Sequence, residues 1–214
     1  MSQTLFAGAH DALLVVDVQN DFCPGGALAI AHAGEAIPRI NALAGAFRHV
    51  TLTQDWHPPG HVSFASSHAG RQPFDVMQLP YGEQALWPDH CIQGTFGADF
   101  HPDLCVPHAQ LILRKGAHVE IDSYSAFFEN DGRTPTGLAG YLRERGMTRV
   151  FIAGLALDFC VRFSAEDATR LGFDAVIVED ACCAIDRNGS LAAARASLAA
   201  HHAAFVPSDA IERL

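Results

Sequence analysis

The sequence predicts an α/β fold, a doubly wound, mostly parallel sheet of six strands with helices on both faces. Short segments that are apolar nearly throughout, and helix-like segments placed between them, carry that reading. Strands buried on both faces of a parallel sheet lose the in–out alternation of half-exposed strands, so continuous apolar runs are their signature. The runs are ALLVVDV (12–18), HVTLTQ (49–54), QLILRK (110–115), RVFIAG (149–154) and DAVIVED (174–180), with AAFVP (203–207) as a sixth.

Amphipathic or Ala-rich segments at 34–47, 136–146, 158–172 and 188–202 supply the helices, and Gly146 and Gly172 stand where two of them should stop. Residues 55–109 are the exception. This Pro-, Gly- and His-rich stretch has no convincing helix or strand, and a connection that long in a compact domain is usually functional. With 214 residues, 49% of them hydrophobic, and no repeat or low-complexity linker, one domain spanning 1–214 is expected.

A net charge of −10 without a basic stripe argues against nucleic acid and anionic membrane as partners and leaves a small molecule. The apolar run ALLVV is far too short for a membrane span, and no basic segment precedes it, so a cytoplasmic protein is expected. Six cysteines (Cys23, Cys91, Cys105, Cys160, Cys182 and Cys183) without a C-x-x-C pair then read as reduced thiols. Assembly state stays open, a homo-oligomer included.

In an open parallel sheet, ligands bind beyond the carboxyl ends of the strands. The first strand runs into Asp17, the second into Asp55 and His57, the third into Lys115, and the fourth into the turn before Cys160. Singly each has a bland reading: a strand-ending acid, a solvated lysine, a small buried thiol. Together they describe a nucleophile and its base. A cysteine in the first turn of a helix beside an ammonium is expected to have a lowered pKa, and Asp17 could take its proton and return it to a leaving amine. DWH (55–57), PPGH to His61 and WPDH to His90 form a mixed oxygen and nitrogen set suited to one divalent ion, Zn, Fe or Mn. The same spacing also fits hydrogen-bonded loop histidines. His68, His101, His108 and His118 read as structural or exposed.

LLVVDVQNDFCPGGAL, TQDWHPPGHVSFAS, WPDHC, RKG and GLALDFCVRFSAEDA, in this order and nearly end to end, resemble the isochorismatase-like cysteine hydrolase family, and within it the branch that hydrolyses nicotinamide. The resemblance implies a catalytic Asp17, Lys115 and Cys160, and conversion of nicotinamide, and often pyrazinamide, to the acid and ammonia through a cysteine thioester, a step of NAD salvage. It implies that Asp55, His57 and His90 ligate the metal, which would hold the pyridine nitrogen. His61 is a fourth candidate, with Pro58, Pro59 and Gly60 shortening its reach. Phe22, Trp87 and Tyr124 would line the ring pocket, although Phe22 and Trp87 taken alone read as ordinary packing. A cis peptide between Ala156 and Leu157 would turn backbone N–H groups toward the reacting carbonyl. The rival readings are a sister hydrolase acting on an N-carbamoyl or ureido amide or on isochorismate, and a metal-binding or thiol-sensing protein without turnover. The last leaves Asp17 and Lys115 without a purpose.

Overall fold

The structure, a computed structural model, describes residues 5–213; residues 1–4 and 214 of the expected domain lie outside the described residues. Its elements are β1 (Leu5–Ala7), β2 (Asp11–Val16), α1 (Ala33–Ala44), β3 (His49–Asp55), β4 (Val76–Leu79), β5 (Gly82–Ala85), β6 (Leu111–Lys115), α2 (Leu138–Glu144), β7 (Arg149–Leu155), α3 (Arg162–Arg170), β8 (Asp174–Cys183), α4 (Ser190–Ala200), β9 (Ala204–Val206) and β10 (Ile211–Arg213). Six of these strands form an all-parallel sheet in the order β6-β3-β2-β7-β8-β9. The expected doubly wound fold is therefore present, and the chain reverses direction across the sheet between β2 and β7.

Burial follows the pleat. Leu13 and Val15 of β2 join Phe151 and Ala153 of β7 in a core under α1, whereas Ala12, Leu14 and Val16 join Val150 and Ile152 in a second core under α2, α3 and α4. Successive residues of a strand point to opposite faces, so a run apolar at every position feeds both layers at once. Gly154 marks where the two central strands approach most closely. Its φ is +118°, and a Cβ there would lie 2.2 Å from the Val16 carbonyl oxygen, a contact only glycine avoids.

The structure departs from expectation in the long connection and at two element ends. Residues 76–85 fold as a hairpin of β4 and β5, antiparallel and set apart from the main sheet. Its strands, VMQL and GEQA, are too short and too polar to stand out by pattern. The strand expected over 12–18 stops at Val16 because Asp17 turns the chain at φ +49°. The helix expected over 158–172 is divided into a π-helical turn, Leu157–Val161, and α3. β1 and β10 add a small parallel pair outside the main sheet. Among the described residues no helix is long and apolar enough to cross a membrane.

Candidate active site

Four adjacent strands, β6, β3, β2 and β7, end at one edge of the sheet, and each delivers one polar group there. Asp55 and Lys115 are register partners on β3 and β6, so parallel pairing alone brings them side by side. The Lys115 ammonium makes a short contact with Asp55, lies 2.8 Å from Asp17 Oδ2, donates to the Ser123 carbonyl at 2.9 Å and approaches Cys160 Sγ at 3.5 Å. All four side chains are buried. The three residues expected to act together, Asp17, Lys115 and Cys160, do meet.

Asp17 is divided in function between its two oxygens. Oδ1 accepts the Thr53 hydroxyl at 2.6 Å, while Oδ2 is ion-paired with the Lys115 ammonium. Burial is the largest influence on this carboxyl and, although Lys115 opposes it, lifts it to about 6. The Lys115 ammonium runs the other way: burial would discharge it, but Asp17 and Asp55 hold its pKa well above the usual value. Cys160 corrects the expectation of a resting thiolate. Burial pushes its thiol well up, and the nearby Lys115 ammonium, which pulls the other way, does not overcome that. The Asp17 carboxylate lies close enough to the sulfur to accept its proton. Ligand atoms of Asp17, Asp55 and Cys160 all lie within 4.8 Å of one another.

Asp55, His57 and His90 form a second buried set with the same spread. His57 Nε2 and His90 Nε2 lie 3.6 and 3.9 Å from Asp55 Oδ2. Each ring is oriented from behind, since His57 Nδ1 bonds the Gly116 carbonyl (3.0 Å) and His90 Nδ1 the Pro88 carbonyl (2.8 Å). A carbonyl only accepts, so both Nδ1 atoms carry hydrogen and the Nε2 lone pairs face Asp55, the arrangement of metal-ligating histidines with their backbone partners. Burial pulls His90 down to about 4, which keeps it neutral. For His57 the Asp55 carboxylate outweighs burial and raises the pKa. Asp55 itself is held well below the usual range: burial alone would raise it, and Lys115, His57 and His90 prevail. The donor set fits a divalent ion. Gly116 belongs to this design, because at φ +65° a Cβ would meet His57 Cε1 at 2.5 Å.

His61 stacks on His57 with ring centroids 4.2 Å apart but lies outside this ligand set. The Ser63 N–H donates to its Nδ1, so Nε2 carries the proton and donates to the His118 carbonyl at 3.0 Å. Both nitrogens are thereby engaged.

Cys160 and the Asp55–His57–His90 set face each other across a narrow, mostly apolar cleft. Phe22, Trp87 and Tyr124 line it as expected, and Phe159, which the sequence reading passed over, is a fourth aromatic wall. Phe159 meets Trp87 edge-on at 4.9 Å between centroids and Tyr124 at 5.6 Å. The cis peptide bond is Leu155–Ala156, one residue earlier than expected. No side chain in that stretch marks the bond, and neither Ala156 nor Leu157 is a proline, so residue identity could not locate it.

Other contributors were also silent in sequence. Gln19 grips the backbone of Asp55 from both sides, its Nε2 donating to the carbonyl and its Oε1 accepting the N–H, each at 2.8 Å. Asp122 is buried with Oδ1 3.9 Å from His57 Nε2. Asp158 accepts the N–H groups of Ile185 and Asp186 and the Ser190 hydroxyl, so it pins the loop whose Ile185 lines the cleft. Gln19 and Asp158 gave only the signal of a polar residue three positions past a strand end, and Asp122, seven past the end of β6, gave none.

A buried strand-end cysteine beside an aspartate and a buried lysine, with a separate aspartate–histidine set that fits a metal, is the arrangement of a hydrolase of the cysteine class on a doubly wound sheet. The isochorismatase domain family matches residues 11–209, and the chain belongs to that family. It is similar to the nicotinamidase of Acinetobacter baylyi, 60% identical over 180 residues that cover 84% of each chain. Among solved structures it resembles a nicotinamidase and pyrazinamidase of Acinetobacter baumanii, with a TM-score of 0.94 and 55% identity over 94% of this chain and 98% of that one. It also resembles the pyrazinamidase of Pyrococcus horikoshii in complex with zinc, with a TM-score of 0.74 and 31% identity over 92% and 99% of the two chains.

Proposed function

We propose that this chain is an amidohydrolase converting nicotinamide to nicotinate and ammonia, and pyrazinamide to the corresponding acid, through a Cys160 thioester, as a step of NAD salvage. The observation that carries the reading is the placement of a buried thiol beside the Asp17 carboxylate and the Lys115 ammonium on one side of an aromatic-walled cleft, with Asp55, His57 and His90 on the other. The similarity to the Acinetobacter baylyi nicotinamidase supports the substrate.

In the first half-reaction the Cys160 sulfur bonds the amide carbon while Asp17 Oδ2 takes the S–H proton. The carbonyl oxygen becomes an oxyanion, for which the N–H of Cys160 and the backbone of the preceding turn are the candidate donors, and such donors contribute roughly 3 to 4 kcal/mol each in other enzymes. The C–N bond then breaks and nitrogen leaves as ammonia with the proton from Asp17. In the second half, Asp17 takes a proton from water as it attacks the thioester, the C–S bond breaks and the proton returns to sulfur. Lys115 stays an ammonium throughout and offsets the charge passing between Asp17 and Cys160. Asp55, His57 and His90 would hold a divalent ion, Zn, Fe or Mn, which supplies a Lewis-acidic partner for the ring nitrogen. Residues 1–214 are read as one hydrolase domain, supported by the family match and by one sheet with a core on each face. Six free cysteines among the described residues support a reducing, cytoplasmic setting.

The test is a coupled ammonia assay on nicotinamide, pyrazinamide and an N-carbamoyl amide, with isochorismate followed separately and the bound metal analysed. Ammonia from nicotinamide at the highest kcat/KM of the set is expected; no release from nicotinamide by metal-loaded protein rejects the proposal.

A further inference from the structure

Gln84 lies on β5, in the hairpin that the sequence pattern did not mark, and is fully buried. Its amide is the centre of a polar network. Nε2 lies 2.8 Å from Asp122 Oδ2, from the Tyr124 hydroxyl and from the Ala85 carbonyl, while Oε1 accepts from Asn130 Nδ2 at 3.0 Å and from the Tyr81 hydroxyl at 3.1 Å. The chemistry of the partners sets the orientation of this amide. A carboxylate and a backbone carbonyl only accept, so the NH₂ end must face them. Asn130 confirms it from the opposite side: its Oδ1 accepts the Tyr124 N–H at 2.9 Å, which leaves its own NH₂ for Gln84 Oε1.

One side chain thus aims two groups that line the cleft. Asp122 has Oδ2 held by Gln84 and Oδ1 held by the Ser123 N–H at 2.8 Å, which brings Oδ1 to 3.9 Å from His57 Nε2 on the metal-ligating side. The Tyr124 oxygen also receives the Trp87 Nε1–H at 3.1 Å, and Trp87 is itself a wall of the cleft. Gln84 Nε2 packs against that oxygen at 2.8 Å, its two hydrogens shared among the three acceptors around it.

We propose that Gln84 is a positioning residue of the site: through its single amide it holds Asp122 beside His57 and Tyr124 against Trp87, so that the metal side and the ring wall are set before a substrate enters. The kinetic consequence rests on the nicotinamide hydrolysis argued above; the metal-side consequence does not.

Gln84→Glu keeps the shape of the side chain and replaces the donors facing Asp122 and Ala85 with an oxygen. Two measurements test it: Zn²⁺ affinity of metal-stripped protein by competition with a chromogenic chelator, and kcat and KM for nicotinamide at saturating Zn²⁺. Partners that orient metal ligands change metal affinity by about 10- to 100-fold when altered, and a loss of at least about tenfold is expected, with KM raised more than kcat is lowered. Asn130→Asp, which removes the donor to Gln84 Oε1 but keeps the acceptor for the Tyr124 N–H, should shift both in the same direction by less. It decides the matter if Gln84→Glu does not fold. A purely structural role would lower the melting temperature and leave Zn²⁺ affinity and KM of the folded variant at wild-type values, and that result overturns the inference. Wild-type protein that releases no ammonia from nicotinamide would reject the proposed activity, while the Zn²⁺ measurement would still decide the role of Gln84.

Discussion

At the scale of single residues, Cys160 is a buried thiol whose pKa is pushed up, set beside an Asp17 carboxylate that is ion-paired with Lys115. Cys160→Ala should abolish ammonia release while circular dichroism stays that of the wild type, whereas Cys182→Ala and Cys183→Ala should retain turnover; substantial activity in Cys160→Ala would remove the thioester. Asp17→Asn keeps the Thr53 contact but loses the base, and general-base loss costs about 10²- to 10⁴-fold in rate. Because burial lifts Asp17 to about 6 and only its ionised form can accept the thiol proton, kcat/KM should fall as pH drops through about 6, read from a pH–rate profile. A flat profile from about pH 5 to about pH 7 would assign the base elsewhere. At the metal set, His57→Ala should lose bound metal on purification, whereas His61→Ala, with both nitrogens engaged by protein groups, should keep it. Equal metal loss in the two variants would place His61 among the ligands.

At the scale of elements, strand register and loop pinning put those groups in place. β3 and β6 pair Asp55 with Lys115, Gln19 clamps the Asp55 backbone, and Asp158 ties the β8–α4 loop to the turn that carries Cys160. Asp158→Ala would leave the N–H groups of Ile185 and Asp186 without their acceptor. Ile185 is half-buried and Asp186 exposed, so water replaces part of what is lost and urea denaturation should show a destabilisation of about 1 kcal/mol, with KM rising as Ile185 loosens. Gly154→Ala forces a Cβ against the Val16 carbonyl between the two central strands, and a destabilisation above about 4 kcal/mol is expected because backbone must move. The strands were legible because their apolar runs are continuous, and the boundaries less so: the strand expected to end at residue 18 stops at Val16, since Asp17 turns the chain with a φ that sequence does not announce. The hairpin at 76–85 went unread because its strands carry little apolar pattern and take their support from Gln84 and its partners instead.

At the scale of the whole molecule, two separate cores clamp one sheet. Ile37 on α1 and Leu142 on α2 lie in different cores, each fully or nearly fully buried. Ile37→Ala and Leu142→Ala should each cost about 2–5 kcal/mol. The double variant should lose the sum to within about 0.5 kcal/mol, as for distant sites that share no partner. A large coupling would mean that the sheet transmits packing strain between its faces. The sequence by itself determined the α/β class, the main strands, the edge on which the polar groups gather, and the presence there of Asp17, Asp55, Lys115 and Cys160, while the family resemblance singled out His57 and His90. The strand-end groups were legible because burial on two faces writes a run of apolar residues, and a charged or nucleophilic residue at the end of such a run stands out against it. Only the tertiary structure decided that Asp17 pairs with Lys115, that burial pushes the Cys160 thiol up, that His61 turns both nitrogens to protein groups, that the cis bond precedes Ala156, and that Phe159, Asp122, Gln19 and Gln84 lie at or beside the cleft. Each of these depends on a partner far away in the chain or on the local dielectric, and neither hydrogen-bond partnership nor desolvation is a property of a residue before the chain has folded around it.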